Sequence, residues 1–178
     1  FYYLHVLAVA LFDKPAYKNC IVHGTILARD GKKLSKSSKN YTDPMELMKK
    51  YGTDAFRLYL YRTPAMLIGD LLFNDAGLED SLKQIIIPLW NACNFYTSYA
   101  NIDGFCPDSV KEPDPENSLD KWILAMLYNT ESTIRKSMDE YGVDNYVEPI
   151  IDFISGLTNW YIRRSRRRFW ESGLSKDK

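Results

Sequence analysis

The sequence predicts a mainly helical protein in two parts: a strand–loop–helix region of α/β character, then a bundle of long helices. Three observations carry this. Short β-branched runs around a glycine at 17–27 lead into a Lys/Ser-rich loop and then into a strongly capped helix. After residue 76, three stretches repeat apolar residues at intervals of three and four. A Pro-, Asp- and Glu-rich segment at 103–117 divides the first stretch from the second, as an exposed connector would.

Taken in order, residues 1–12 are apolar on most faces and predict a buried helix, broken by Asp13-Lys14-Pro15. Residues 17–27 read as a strand buried in a parallel sheet. Asp43 as N-cap, Pro44 at the first helical position and Glu46 three residues after the cap start a helix that Gly52 ends. Residues 55–61 continue as a second helix, closed by Pro64. The span 78–101 predicts one long helix kinked at Pro88. Ser118 is expected to cap a helix with Leu119, Trp122, Ile123, Met126, Leu127, Ile134, Met138 and Tyr141 on its apolar side, ended by Gly142. Val147, Ile150, Ile151, Ile154, Leu157, Trp160 and Tyr161 form the third stripe. Short or polar connections between these helices predict an antiparallel bundle. The expected division is 1–64, a connector at 65–75, and a helical domain at 76–178.

Hydrophobic content of 46% and aromatic content of 14% support an ordered protein, and 178 residues suffice for one good core or two small ones. No apolar run reaches the roughly 18–20 residues of a membrane span, so no membrane partner is expected. The opening run lacks a basic leader and a small-residue cleavage site. Cys20, Cys93 and Cys106 are odd in number and widely spaced; they are expected as reduced thiols of a cytoplasmic protein, not as a disulfide frame or a zinc site. The apolar pattern is already under way at Phe1, which suggests a piece of something larger.

The neutral total conceals an uneven distribution. Residues 1–40 carry a net charge of +5, residues 41–160 carry −10 and residues 161–178 carry +5. Two basic foci around an acidic middle suit a protein that grips anions at two places. In the first focus Arg29, Lys32, Lys33, Lys36 and Lys39 face one acid, Asp30, with serines interleaved. A core would need a partner for each ammonium; a loop closing on a polyphosphate-like ligand would use the lysines as point charges and the hydroxyls as donors. A solvated linker is the bland alternative. The second focus, Arg163, Arg164, Arg166, Arg167 and Arg168 among Trp160, Tyr161, Phe169 and Trp170, has the composition of an RNA-backbone surface. An arginine girdle neutralising the acidic middle is the equal alternative. His5 is expected in the interior with one hydrogen bond. His23, beside Gly24 on the expected strand, is placed near a nucleotide, since ligands collect at the carboxyl ends of parallel strands. No residue spacing completes a metal site.

Lys33-Leu34-Ser35-Lys36-Ser37 resembles the KMSKS signature of class I aminoacyl-tRNA synthetases, with leucine in place of methionine. The flanking series, from Ile21-Val22-His23-Gly24 before the loop to Lys39-Asn40-Tyr41-Thr42-Asp43-Pro44 after it, is similar to that of the isoleucyl family. So are Lys50-Tyr51-Gly52-Thr53-Asp54-Ala55 and the run from Asn159 to Trp170. The valyl and leucyl families share the loop, and a stand-alone RNA-binding helical module is an alternative of another class. The resemblance implies that 1–64 is the closing piece of a Rossmann-type catalytic domain and 76–178 part of an α-helical anticodon-binding domain. It implies ATP with Mg2+ as substrate and isoleucine and tRNA(Ile) as partners, with no DNA and no membrane. Lys33 and Lys36 would carry the catalytic charge, Ser35 and Ser37 would hold the closed loop, and His23 and Gly24 would lie by the ATP. The HIGH motif, the isoleucine pocket and the editing domain of that family have no counterpart in these residues, so the chain alone is expected to be inactive and to hold no cofactor.

Overall fold

Two apolar clusters organise the chain, and one short helix packs into both. The computed structural model describes residues 1–35, 37–38, 40–106, 115–142 and 145–173. The first cluster joins Leu47, Tyr59, Ala65, Leu71 and Leu78, with Ile26, Phe56, Leu60 and Phe73 around them. The second joins Ile85, Val147 and Ile154, flanked by Leu58, Tyr61, Tyr146, Ile150 and Phe153.

Around the first cluster, β1 (Ile26–Leu27) pairs in parallel with β2 (Leu71–Leu72), Ile26 opposite Leu71 and Leu27 opposite Leu72. The crossover between them carries α2 (Pro44–Tyr51), α3 (Thr53–Tyr61) and a 3-10 turn, Pro64–Leu67. Parallel strands need such a crossover because a tight turn cannot reverse twice. The start of α2 is as read from the sequence: Asp43 Oδ1 accepts the N–H of Met45 at 2.8 Å, with Pro44 at the first position. β2 falls within the expected connector. The expected strand over 17–27 contracts to its last two residues. Ile21 and Val22 are 58% and 40% exposed, and no second strand among the described residues pairs with them.

The helix α1 (Tyr2–Phe12) forms as expected but is not buried; Phe1, Tyr3 and Phe12 are each at least 70% exposed. It is apolar all round without a sided stripe, so it has no distinct face to lay on either cluster. His5, expected in the interior, is exposed with it, its ring 6.0 Å from that of Tyr17.

The expected helix over 78–101 is three pieces: α4 (Asp75–Ser81), a π-helical stretch Leu82–Ile86, and α5 (Ile87–Asp103). The irregularity precedes Pro88 rather than sitting on it. Proline has no N–H to give the carbonyl four residues back and its ring crowds that carbonyl, so the preceding turn widens; the Ile87 N–H bonds to Leu82, five residues back. The connector at 103–117 lies largely outside the described residues. Next comes α6 (Ser118–Asp139), whose cap is Asn117 and not Ser118: Asn117 Oδ1 accepts the Leu119 N–H at 2.9 Å. Its end also differs from expectation. Tyr141 takes the left-handed φ of 60°, donating to Met138, while Gly142 donates to Ser137 at 2.7 Å. That is the Schellman pattern with tyrosine where glycine was expected. The chain closes with α7 (Val147–Ser155), a π-helical stretch Gly156–Ile162, and α8 (Arg163–Trp170).

Gly24 is needed for close approach. Its N–H bonds to the Ala65 carbonyl at 2.6 Å, and a Cβ there would lie 1.8 Å from the Gly69 carbonyl oxygen. The obstacle is backbone, which cannot rotate aside. Gly24→Ala is therefore expected to destabilise the chain by about 2–3 kcal/mol, the scale of overpacking. Urea unfolding should show a lower midpoint at unchanged slope; an unchanged midpoint would mean that this contact does not matter.

Candidate functional site

β1 delivers the chain into a tight hairpin. Ala28 N–H donates to Lys32 at 2.9 Å, Gly31 N–H to Ala28 at 2.9 Å with φ 77° at Gly31, and Lys33 bridges back to Leu27 in antiparallel fashion. Asp30 steadies the turn by accepting the Lys32 N–H at 3.1 Å. Beyond it, the Asn40 side chain bonds twice across the loop, accepting from Ser35 N–H at 2.9 Å and donating to the Lys33 carbonyl at 3.1 Å. The hydroxyls of Ser35 and Ser37 are 2.7 Å apart. The Lys33 side chain is exposed and in no ion pair among the described residues. Lys36, the other expected catalytic lysine, lies outside the described residues.

An open cavity of about 520 Å³ adjoins this loop, lined by Ala28, Leu34, Asn40, Tyr41, Phe73 and Asp75 among others. Ala28 directly follows β1 and Phe73 directly follows β2. The cavity thus opens at the carboxyl ends of the parallel pair, where α/β folds collect ligands. Arg29 reaches Asp75 at 3.6 Å across one side of it. His23 and Gly24 precede the amino end of β1 and are not among the lining residues. The His23 Nδ1–H instead donates to the Gly24 carbonyl at 2.7 Å. The loop residues are brought together; His23 and Gly24 are not brought to them.

The second basic focus is α8. At 100° per residue its five arginines spread around the axis, and the buried Ser165 marks the inward face. Arg163, Arg164, Arg166 and Arg167 are exposed and make no ion pair among the described residues. Arg164 stacks over the Trp160 ring, 4.6 Å from its centroid. Arg166 borders a groove with Asn91, Phe95 and Asn159. Arg168 is different: it forms a two-pronged ion pair with Asp120 at 2.7 and 2.8 Å, and Tyr161 donates to the same carboxylate at 2.8 Å. The sequence alternatives therefore divide between residues, with the girdle describing Arg168 and an open cationic face describing the other four. Arg168 holds the Asp120 carboxyl below the usual carboxylate range, with Tyr161 adding to the effect against the opposing cost of burial. Burial, and then the neighbouring Asp120, pushes the Tyr161 hydroxyl up to about 12.

Sequence reasoning missed three residues that tie these parts together. Asn40 was visible only as part of a flanking motif, although Asn commonly pairs with nearby backbone. Asp120 is one acid among many in the acidic middle. Arg62 stands at the carboxyl end of α3, its Nε 2.9 Å from Glu148 and its Nη1 3.0 Å from Gln84, beside a Tyr61–Tyr146 ring contact at 5.2 Å. No local pattern marks a pair 86 residues apart.

A family model described as tRNA synthetases class I (I, L, M and V) matches residues 1–70, and one described as the anticodon-binding domain of tRNA ligase matches residues 120–177. Isoleucine–tRNA ligases of Treponema pallidum (strain Nichols) and Chlamydia muridarum are 47% and 49% identical over the whole chain. The chain belongs to the class I tRNA synthetases. It spans 17% of the length of those curated relatives. The LeuRS ternary complex of Agrobacterium radiobacter K84 (agnB2 LeuRS–tRNA–LeuAMS) has a similar fold, with a TM-score of 0.63 over 94% of this chain and 21% of its own, at 21% identity. At that identity the likeness speaks for the fold alone. The loop after β1 lies in the segment matched by the class I synthetase model and α8 in the segment matched by the anticodon-binding model.

The depressed Asp120 carboxyl gives a signed expectation. A carboxylate favoured in the folded state contributes stability that is full above its unfolded pKa and is lost as pH falls through the folded value. Asp120→Asn should cost about 2 kcal/mol at pH 7, the scale of hydrogen bonds to a charged group. The gap from the parent should then narrow as pH falls below about 4. Urea unfolding across that range checks it; a gap that is constant with pH would remove the ion pair from the account.

Proposed function

We propose that this chain supplies the ATP-phosphate loop and part of the tRNA-binding surface of an isoleucine–tRNA ligase, acting in the cytoplasm. The observation that carries the first half is the cavity at the carboxyl ends of β1 and β2, bordered by a lysine loop whose Lys33 has no acidic partner among the described residues. The expected division, with 1–64 closing the catalytic domain and 76–178 within the helical one, is retained; α4 then starts the helical part while its Leu78 fills the first cluster. The three exposed thiols, Cys20, Cys93 and Cys106, suit a reducing compartment.

In the proposed reaction the isoleucine carboxylate attacks the α-phosphate of ATP, giving isoleucyl-adenylate and releasing pyrophosphate. The acyl group then passes to a terminal ribose hydroxyl of tRNA(Ile), with AMP as leaving group. As the bond to the β-phosphate breaks, negative charge grows on the departing pyrophosphate. Lys33 and Lys36 would meet that charge more strongly than the charge of the ground state, and this difference is what lowers the barrier. Ser35 and Ser37 would act by holding the loop in its closed form. Mg2+ would arrive with the ATP and neutralise its phosphates. Among the described residues no cluster of three His, Cys, Asp or Glu offers a protein-held site for it. Asp30 and Asp75, the acids by the cavity, already face Lys32 and Arg29. His23 and Gly24 are assigned no nucleotide contact, because they stand before the amino end of β1.

For tRNA we propose the open face of α8, where Arg163, Arg164, Arg166 and Arg167 would meet phosphates, with Trp160 holding Arg164 in place. Arg168 would act indirectly by fixing α8 on α6.

Two outcomes are expected in the full-length ligase carrying this segment. Lys36→Ala should lower isoleucine-dependent ATP–pyrophosphate exchange by about 10²-fold or more, the effect of losing one preorganised charge partner; exchange within a factor of two of the parent would sink the assignment. Replacing Arg163, Arg164 and Arg167 by glutamine should weaken tRNA binding and flatten its dependence on salt, by about 0.7–0.9 in logarithmic slope for each phosphate that is no longer neutralised. An unchanged slope would take α8 out of the tRNA interface.

A further inference from the structure

The loop carries a device that the lysine motif does not explain, and it rests on the ATP-loop reading just given. The sequence between the hairpin and α2 sets Lys33, Lys36 and Lys39 three positions apart, and like charges oppose the ordering of such a segment. The structure meets this with a neutral group. Asn40 Oδ1 accepts the Ser35 N–H at 2.9 Å while Nδ2 donates to the Lys33 carbonyl at 3.1 Å. A side-chain amide offers one donor and one acceptor in a plane, so it can pair with backbone two residues apart as a neighbouring strand would. Lys33 is itself bridged to Leu27 on β1, and three residues after Asn40 comes Asp43, the cap of α2. The mouth of the loop is thereby fastened to β1 on one side and to α2 on the other. Leu34, between the two bonded residues, lines the cavity together with Asn40.

We infer that Asn40 is a positioning residue of the ATP loop: a neutral clasp that fixes the backbone of Lys33 and Ser35 without neutralising the cations meant for the phosphates. The choice of amide over carboxylate follows from the same chemistry. Aspartate is nearly the same shape and could still accept the Ser35 N–H. It would lose the donor to Lys33, set a second oxygen against that carbonyl, and place an anion beside the phosphate site. A residue with a merely structural role would be replaced better by aspartate than by alanine; a clasp inside a phosphate site would not.

The test is ATP–pyrophosphate exchange by the full-length ligase carrying this segment, with Asn40→Ala and Asn40→Asp. Asn40→Ala should raise the KM for ATP about tenfold or more, because both hydrogen bonds that set the backbone of Lys33 and Ser35 are lost. Asn40→Asp should raise it at least as much. The KM for isoleucine should stay within twofold, and Tm within about 2 °C of the parent. Limited trypsin digestion, followed by mass spectrometry, should show cleavage after Lys33 accelerated in Asn40→Ala. The clasp is overturned if the ATP parameters of Asn40→Ala stay within twofold of the parent. It is overturned equally if Asn40→Asp restores them, or if ATP and isoleucine constants shift together with a fall in Tm. Should the parent show no isoleucine-dependent exchange, the functional reading fails on its own account. The clasp is then decided by trypsin, where an unchanged cleavage rate after Lys33 rejects it.

Discussion

The two parts of this chain that carry its basic foci are joined through the double packing of α3. Nine residues long, it turns Phe56, Tyr59 and Leu60 toward the cluster beneath the β1–β2 pair and Leu58 and Tyr61 toward the cluster formed with α7 and the π-helical stretch before α5. A helix buried on one face can slide or roll at modest cost. One packed on two faces cannot move without opening a cavity on one side, and interiors tolerate that poorly. Arg62 adds a polar stop at its end through Glu148 and Gln84. The loop after β1 and the arginines of α8 are thus related by a continuous series of packed elements, α3 to α7 to the π-helical stretch to α8, and not by a flexible tether.

What could be read beforehand follows from how local each cause is. The start of α2 was legible because its cap, its proline and its acid are adjacent in sequence. The parallel character of β1 was legible from a β-branched run, but its length was not, since a strand extends only as far as a partner ladders with it. The partner, Leu71–Leu72, is two leucines beyond a glycine and an aspartate, with no periodicity to mark it. The α1 helix was legible as a helix but not as exposed, because apolar composition says a segment wants cover and not that cover is present. The ends of α6 show the finer limit. Asn117 rather than Ser118 caps α6 by accepting from Leu119, a choice between two good caps one position apart, and Tyr141 takes the left-handed conformation that glycine would take at less cost.

For the site, the charges were legible and their partners were not. A lysine- and serine-rich loop after a strand points to an anion from composition alone, whereas the residue that shapes the loop is a single asparagine whose bonds span five and seven positions. The arginine block was likewise visible, yet its division into one paired and four open groups depends on Asp120, 48 residues away. Helical geometry explains why the division had to occur. With Ser165 facing inward, Arg168 stands at about 60° from the inward direction and Arg163 and Arg167 at about 160°, so burial falls on one side of the block and solvent on the other.

The two basic foci solve opposite problems, and the burial of each decides which partner chemistry suits it. Arg168 and Asp120 keep only 22% and 17% of their side-chain surface exposed. There an unpaired guanidinium would be left largely without water, so a carboxylate of opposite sign, bound at two points and supported by the Tyr161 hydroxyl, is the arrangement that avoids an uncompensated charge. Lys33 lies in solvent, where hydration already stabilises an ammonium. A carboxylate beside it would add little stability and would cancel the field at the adjoining cavity. A neutral amide that grips only backbone orders the loop and leaves its charge available. The absence of an acidic partner at Lys33, among the described residues, and its presence at Arg168 are therefore one rule applied to two degrees of burial: charge is matched where water cannot reach it and left open where water can.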